Sequence, residues 1–510
     1  MKNYLFLALA AALMMAAACS EPLNEAAEEA TPQNEGTETP KKSHWGNKEP
    51  IPYTIPNMHL ALDKLQSDGL SKSALSKADI KPTHVYLKFF PSDLDELDLL
   101  KDDSVLCVVP VPYDYDLEGF DGSYHDPEVP AEIPTYQYSV VEVGHPLPNV
   151  RYEVLDSLYM PDLVEYKALS KSHSNVIAIW PELECEAIRL SGFDTTYTID
   201  ANRTLSKSYK PGGSVMSYDN VIENYGRSKW NCLFAVPNVR IHVNFSTHRR
   251  NGYTDINGNF KTDGNFRNKV HVHVYFDNSN YSIYQDNSND VVAYYYGRVK
   301  SSNMPIQFKS NKTDLIKCSA LARAAYWSFN KRRLLTAPKC TRLRLFVNGH
   351  IDPLSQGTYD NGESTVKVYA QGMKTQHIAG ATIAQLAKSM LCNAAGVYTY
   401  NSMSVSLKES WGIGVCDILT EDMYYYYLKR CDGVLKKDEK YEYTFPYQSS
   451  VYTHAVSDVV KQLSVFPLWK IENCTKRSKS LQDLCNNLKN ANSNYSARLD
   501  QIFKYWETYK

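Results

Sequence analysis

One stretch of this 510-residue sequence, Gln376 to Leu391, constrains the fold more than any other. Its apolar residues recur near the spacing of one helix face, at Ile378, Ile383, Leu386, Met390 and Leu391. Alanine and glycine fill many of the positions between them, which lets a neighbouring element approach the backbone closely. The pattern predicts an amphipathic helix whose packing organises the C-terminal part of the chain.

Part of this predicted helix contains the frame of a known motif. Residues 382–388 have the sequence TIAQLAK, which resembles the active-site helix of zinc metallopeptidases, T-I-H-E-L-A-H, with two histidine ligands and a general-base glutamate. Ala384 and Lys388 occupy the two histidine positions, and Gln385 occupies the position of the base. Downstream, the sequence around Glu409 resembles the second helix of the gluzincin type, in which this glutamate is the third ligand.

These substitutions remove the chemistry of a zinc site. A catalytic zinc needs several nitrogen, sulfur or oxygen donors. Ala384 offers no donor, Lys388 would bring a positive charge toward a dication, and the Gln385 amide cannot act as a base near neutral pH. We therefore expect no catalytic residue, no metal and no other cofactor, and we expect Lys388 to pair with Glu409 instead. The alternative is a packing helix unrelated to peptidases.

The N-terminal segment predicts export and lipid attachment. A short basic start precedes the apolar run from Tyr4 to Ala18, which is too short to span a bilayer as a mature helix. Because three alanines directly precede Cys19, residues 1–19 resemble a bacterial lipoprotein signal peptide in which Cys19 becomes acylated. A plain secretory signal with a coincidental cysteine is the alternative.

Residues 20–50 predict a disordered tether, because they are rich in Glu, Ala, Thr and Pro and almost lack apolar residues. The acidic residues soon after Cys19 resemble the export signals of Bacteroidetes surface lipoproteins. This resemblance implies a protein that is lipid-anchored in the outer membrane and exposed at the cell surface, with the periplasmic face as the alternative. The net charge of −2 gives no signal for nucleic-acid binding.

Residues 51–230 are predicted to form an N-terminal α/β region. The segments Tyr-His-Asp-Pro at 124–127 and Pro-Thr-Tyr-Gln-Tyr at 134–138 resemble an uncharacterised family of Bacteroidetes surface lipoproteins. His125 and Asp126 could form a pair of metal ligands, but a capped loop is the interpretation that we favour. At the end of this region, residues 191–235 are rich in Ser, Tyr and Asn and predict a long connection or an insertion.

Residues 236–300 predict a β-sandwich. Apolar and polar residues alternate on two predicted strands, and Gly258 permits the positive φ of a tight turn between them. The segment from Gly252 to Phe260 resembles a hairpin of the carboxypeptidase-regulatory-like, transthyretin-type β-sandwich. It also resembles half of a calcium loop, but the required glycine and distal glutamate are missing, so we expect no calcium site.

Two histidines, His271 and His273, lie two residues apart on the second of these strands and therefore on one face. We expect both to be exposed to solvent. Eleven cysteines permit disulfides in an exported protein, but their spacing does not determine the pairing. Those in apolar surroundings, such as Cys416, are equally expected to be buried free thiols.

Residues 310–510 predict a mostly helical domain that resembles the peptidase domain of the same family. Three isolated histidines, His350, His377 and His454, could converge on Glu409 and rebuild a metal site, although their spacing does not indicate it. The predicted architecture is multidomain α+β: an N-terminal α/β region, a transthyretin-like β-sandwich and a zincin-like helical domain. We expect a pseudoenzyme that binds a protein or peptide partner in the former cleft. A residual metal-dependent hydrolase and a purely structural envelope component are the alternatives.

Overall fold

The computed structural model describes most of the chain from residue 46 onward. The described ranges are 46–68, 76–116, 121–161, 174–192, 208–225, 233–285, 288–309, 311–338, 343–348, 356–431, 434–436, 439–447 and 450–508. The signal peptide, Cys19 and most of the tether lie outside them. The fold is mixed α/β, with about 40% helix and 24% strand.

The described helices and strands alternate along the N-terminal half, and helices predominate after residue 370. The helices are α1 Ile55–Ser67, α2 Leu94–Asp102, α3 Ser174–Ser191, α4 Thr313–Asn330, α5 Thr375–Ala395, α6 Val397–Ser402, α7 Val405–Leu428, α8 Ala455–Gln462, α9 Leu468–Thr475, α10 Leu481–Ala491 and α11 Ser496–Thr508. The strands are β1 Asn47–Lys48, β2 His84–Phe89, β3 Tyr115–Asp116, β4 Asp121–Ser123, β5 Gln137–Glu142, β6 Tyr152–Leu158, β7 Gly212–Ser217, β8 Phe234–Ala235, β9 Arg240–Phe245, β10 His248–Tyr253, β11 Asn259–Lys261, β12 Val270–Tyr275, β13 Tyr281–Gln285, β14 Val292–Val299, β15 Met304–Phe308, β16 Leu343–Asn348, β17 Gly357–Asp360 and β18 Thr365–Tyr369.

The N-terminal region contains a small antiparallel sheet with the strand order β5-β2-β6. Proline at the second position and the Thr54 side chain, which accepts a hydrogen bond from the Asn57 amide, start helix α1. The first strand, β1, pairs with β3. Strand β1 lies inside the interval 20–50 that was predicted to be a disordered tether, so this prediction is wrong for the described residues 46–50.

Two sheets form the central part. One has the order β10-β9-β12-β14-β4, and the other has the order β11-β7-β15 with β8 paired to β7. Their apolar side chains, including Val215, Ile241, Val272 and Ile306, belong to the same buried core. Gly258 has φ +79° in the turn before β11, as predicted, and the Phe260 ring is buried.

Strands from outside residues 236–300 complete these sheets. The segment 191–235 was expected to be a connection, and this expectation was wrong for its described parts, because β7 and β8 lie in it. Strand β4, which comes from the N-terminal region, belongs to the first sheet. Strand β15, which follows residue 300 in the sequence, belongs to the second. Strand β13 instead pairs in parallel with β16 of the C-terminal part.

The expectation that His271 and His273 are exposed is also wrong. Their strand alternates as predicted, but its polar face is covered, and the two side chains are 2% and 0% exposed. The N-terminal region lies on this face: the Tyr113 ring is 5.7 Å from that of His242, which is paired across the strands with His273. The Arg240 guanidinium donates to the Val108 carbonyl at 3.2 Å.

The C-terminal part combines a four-stranded sheet with helices. The strand order is β13-β16-β18-β17, in which β17 is an antiparallel strand at the edge. Helix α5 confirms the helix predicted over residues 376–391, and α4 begins the C-terminal region that was predicted to be mostly helical. None of the helices in the described ranges has the length and apolar character needed to cross a bilayer.

Candidate functional site

Helices α5 and α7 approach each other closely where the motif positions lie. A Cβ atom added to Gly412 of α7 would be 2.8 Å from the carbonyl oxygen of Ala384, so only glycine permits this separation. Beside it, the buried Trp411 indole donates a hydrogen bond of 3.0 Å to the Ala387 carbonyl. The Ser-Trp-Gly sequence after Glu409 therefore fixes α7 against the middle of α5.

The two charged motif positions form an ion pair between the helices. The Lys388 ammonium donates to Glu409 Oε1 at 2.7 Å, which confirms the predicted contact. The Lys388 side chain is 6% exposed, and the Glu409 side chain is 24% exposed. Burial lowers the pKa of Lys388, while the adjacent Glu409 carboxylate opposes that shift.

A cavity of about 180 Å³ opens directly beside this pair. Its lining residues come from α5, α7, the start of β17 and the segment 445–452, and they are Gln356, Ala384, Gln385, Val405, Glu409, Ile413, Phe445, Val451 and Tyr452. Three of the four motif positions, Ala384, Gln385 and Glu409, thus face one space. The sequence indicated these three, but it gave no signal for the lining residues that come from distant segments.

Gln385 gives this cavity a polar group without a partner. The residue is 4% exposed, and its Oε1 atom is buried and accepts no hydrogen bond from any residue in the described ranges. Its side chain packs against the edge strand: a Cβ atom added to Gly357 would lie 3.0 Å from Gln385 Cγ. Because a buried carbonyl oxygen without a donor costs free energy, a ligand N–H group would be stabilised here.

The donors at this site do not fit a zinc ion. Zinc would need nitrogen, sulfur or oxygen ligands from the motif positions, but Ala384 has none and Lys388 places an ammonium against the remaining carboxylate. Across the described part of the chain, no three His, Cys, Asp or Glu side chains are grouped so that they could hold a metal ion.

Two of the three histidines that were considered as ligands of a rebuilt metal site are described, and both have other partners. His454 Nδ1 is 2.7 Å from Asp417 Oδ2, and the same carboxylate oxygen accepts a hydrogen bond from Ser457 at 2.8 Å. These contacts attach the start of α8 to α7. His377 Nδ1 lies 3.5 Å from the Tyr443 hydroxyl. His350 lies outside the described residues.

The other site candidates have structural roles. His125 Nδ1 is 2.6 Å from Asp290 Oδ2, and Nε2 is 2.8 Å from the Val129 carbonyl, so both ring nitrogens face oxygen acceptors. Burial opposes a rise in the pKa of His125, but these two contacts raise it. Asp126 accepts a hydrogen bond from the Glu128 amide, as expected for a capped loop.

The cysteines divide into two groups. Seven described cysteines are not part of a disulfide: Cys107, Cys185, Cys318, Cys392, Cys416, Cys474 and Cys485. Cys431 forms a disulfide. Burial raises the pKa of the Cys416 thiol far above its usual value, so this thiol, at the interface of α5 and α7, is kept protonated.

No family model matches the chain, and no curated protein matches it either.

Proposed function

We propose that this protein is a lipid-anchored component of the bacterial cell envelope that binds a peptide segment in the cavity beside Glu409 and does not hydrolyse it. In this proposal the C-terminal part is a zincin-like domain without zinc, and acylated Cys19 attaches it to the outer membrane. The protein would face the cell exterior, with the periplasmic side as the alternative location.

One observation carries the binding proposal. The Glu409 end of the Lys388–Glu409 ion pair lines a cavity that Gln385 also lines, and the buried Oε1 atom of Gln385 has no hydrogen-bond partner among the described residues. In this proposal, one positive and one negative side chain occupy the place of a metal centre. Their charges cancel, and they leave the neighbouring cavity unfilled. A site with this composition can hold a ligand, but Gln385 stands at the position where the resembling motif has its general base, and an amide cannot take up a proton from water.

The edge strand β17 supports a peptide as the ligand. It is the last strand of its sheet, and the cavity begins at Gln356, immediately before it. An extended peptide can add to such an edge through backbone hydrogen bonds while one of its side chains enters a neighbouring pocket. The apolar walls at Val405, Ile413 and Phe445 favour an apolar side chain in that pocket.

A substitution at the mouth of the cavity tests this proposal. Val405 is 59% exposed and lines the cavity, so Val405→Trp should obstruct the entrance without disturbing the core. We expect a peptide selected from a random-sequence library on wild-type protein to bind the variant at least about 10-fold more weakly in biolayer interferometry. Mass spectrometry should recover the bound peptide uncleaved.

Val397→Trp provides the matched control. Val397 is also exposed, at 38%, but lies in α6 away from the lining residues, so this variant should bind like the wild type. If the wild type, Val405→Trp and Val397→Trp all bind the peptide with equal affinity, the peptide does not bind in this cavity. Cleavage of the peptide that stops on adding a chelator would favour the residual metal-dependent hydrolase.

A further inference from the structure

The side-chain amide of Gln385 brings both a hydrogen-bond acceptor and a donor to the cavity beside Glu409. The residue is 4% exposed, and its buried Oε1 atom accepts no hydrogen bond from the described part of the chain. Nε2 lies beside the first residue of β17, since a Cβ atom added to Gly357 would be 3.3 Å from it. Gln385 therefore places an acceptor and a donor where the cavity meets the edge strand.

Two other polar side chains of this cavity already have partners within the chain. Glu409 Oε1 accepts the hydrogen bond from Lys388, and the Tyr452 hydroxyl donates one to the Tyr447 carbonyl. Because the charges of Lys388 and Glu409 cancel, and because burying an unpaired charge costs free energy, the cavity favours an uncharged polar group over an ion. A peptide group of a ligand has this character.

A peptide residue whose side chain enters this cavity also brings its main-chain polar groups to the cavity. Each residue other than proline carries one N–H and one C=O group, and burying either of them without a partner costs free energy. In an extended chain, the N–H and C=O groups of one residue point to the same side. Strand β17 begins at Gly357, so its edge can pair with a peptide only from this residue onward.

We propose that Gln385 binds the main chain of the peptide residue that enters the cavity. Its Oε1 atom accepts a hydrogen bond from the N–H group of that residue, and its Nε2 atom donates one to the C=O group. The amide thereby continues, past Gly357, the row of main-chain partners that β17 provides. This inference rests on the proposed peptide binding.

The inference narrows the class of ligand. The site takes an extended peptide in which the residue at the cavity has an unmodified N–H group, while the apolar walls bind the side chain of the same residue. Proline is excluded at this one position, because it has no main-chain N–H group to donate.

A scan with N-methylated peptides tests the inference. The probe is the peptide selected on the wild-type protein, and each derivative carries a methyl group in place of one main-chain N–H hydrogen. We expect one position at which N-methylation weakens binding to the wild type at least about 10-fold in biolayer interferometry, and at which Gln385→Met removes this effect. At positions that pair with β17, N-methylation should weaken binding equally in both proteins.

Gln385→Met keeps the length of the side chain and removes both polar atoms. The variant should fold, because the oxygen that it removes has no donor in the described ranges, and circular dichroism checks this. We expect it to bind the unmodified peptide at least about 10-fold more weakly than the wild type. Gln376→Met, the same change in the first turn of α5 and outside the cavity lining, is the matched control and should bind like the wild type.

The outcomes distinguish a failure of this inference from a failure of the proposed function. If the library yields no binding peptide, or if Val405→Trp leaves binding unchanged, the proposed binding in the cavity fails and the inference fails with it. If a peptide binds in the cavity but no position is less sensitive to N-methylation in Gln385→Met, peptide binding stands and the role of Gln385 is overturned. Equal affinity of folded Gln385→Met and wild-type protein for the unmodified peptide would also overturn it.

Discussion

At the scale of single residues, the ion pair between Lys388 and Glu409 joins helices α5 and α7. The Glu409 side chain is 24% exposed beside the cavity, so its carboxylate is only partly hydrated. The Lys388 ammonium supplies the opposite charge at a distance of 2.7 Å. Lys388 occupies the position of the second histidine in the zinc-peptidase motif that this helix resembles. In the proposed zincin-like arrangement, the lysine would take the place of the positive charge of a metal.

The two single substitutions that break this ion pair should lower the free energy of unfolding by different amounts. Glu409→Gln leaves a buried ammonium without a counter-charge, and we expect it to lower the free energy of unfolding by roughly 2–3 kcal/mol. Lys388→Met should cost only about 1 kcal/mol, because the remaining carboxylate is partly exposed and can be hydrated. Urea unfolding measures both changes.

The double variant Lys388→Met/Glu409→Leu is the control for this coupling. Because it removes both charges, its cost should be smaller than the sum of the single costs. If the cost of the double variant equals the sum of the costs of the two single variants, the two side chains do not interact.

At the scale of elements, strand β12 presents an unusual polar face. His271 and His273 lie on it together with Tyr275, and His242 faces His273 from the neighbouring strand β9. Burial is the main cause that lowers the pKa of all three histidines, to about 3 for His271 and well below 6.5 for the other two. The N-terminal region thus packs on neutral imidazoles.

This face should make the protein sensitive to acid. Histidines of the unfolded chain take up protons below about pH 6.5, whereas those of the folded chain do not, so stability is full above that pH and falls as the pH decreases. Well below pH 6.5, the contribution of each buried histidine to that fall should approach about 1.4 kcal/mol per pH unit. Urea unfolding between about pH 5.5 and pH 4 measures the slope in this range.

His273→Phe should reduce this slope by about 1.4 kcal/mol per pH unit, because the phenyl ring keeps the packing against Tyr275 and Tyr295 but cannot bind a proton. An unchanged slope in the variant would show that His273 is already protonated, or exposed, in the folded protein.

At the scale of the whole molecule, the described residues from 46 onward belong to one compact unit. Its main buried core includes residues from Tyr53 to Phe503, and two smaller buried clusters are separate from it. Elements also cross between the three predicted regions: β4 enters the central sheet, and β13 enters the C-terminal sheet. The buried ion pair of Asp219 and Arg323, at 2.7 Å, joins the segment after β7 to α4.

The sequence predicted what depends on local patterns. The helix at 375–395 follows from its apolar period, the turn at Gly258 follows from its glycine, and the contact of Lys388 with Glu409 follows from the motif frame. It did not predict β7, whose sequence Gly-Gly-Ser-Val-Met-Ser lacks a regular apolar alternation. The burial of His271 and His273 also escaped prediction, because it depends on a distant segment that covers their face.

The central claim is that α5 and α7 have the geometry of a zinc site from which the ligands have been removed. If this is correct, restoring the two histidines should restore the metal. Ala384 lines the cavity and Lys388 lies one helical turn further along α5, so Ala384→His/Lys388→His would place two imidazoles beside Glu409.

The decisive measurement is the zinc content of the full-length wild-type protein and of this double variant, by elemental analysis after purification without chelator or metal-affinity tag. We predict less than about 0.1 equivalent in the wild type and about one equivalent in the variant, lost again on adding Glu409→Gln. Near-stoichiometric zinc in the wild type would contradict the claim of a metal-free site. A folded double variant that binds no zinc would contradict the zincin-like geometry.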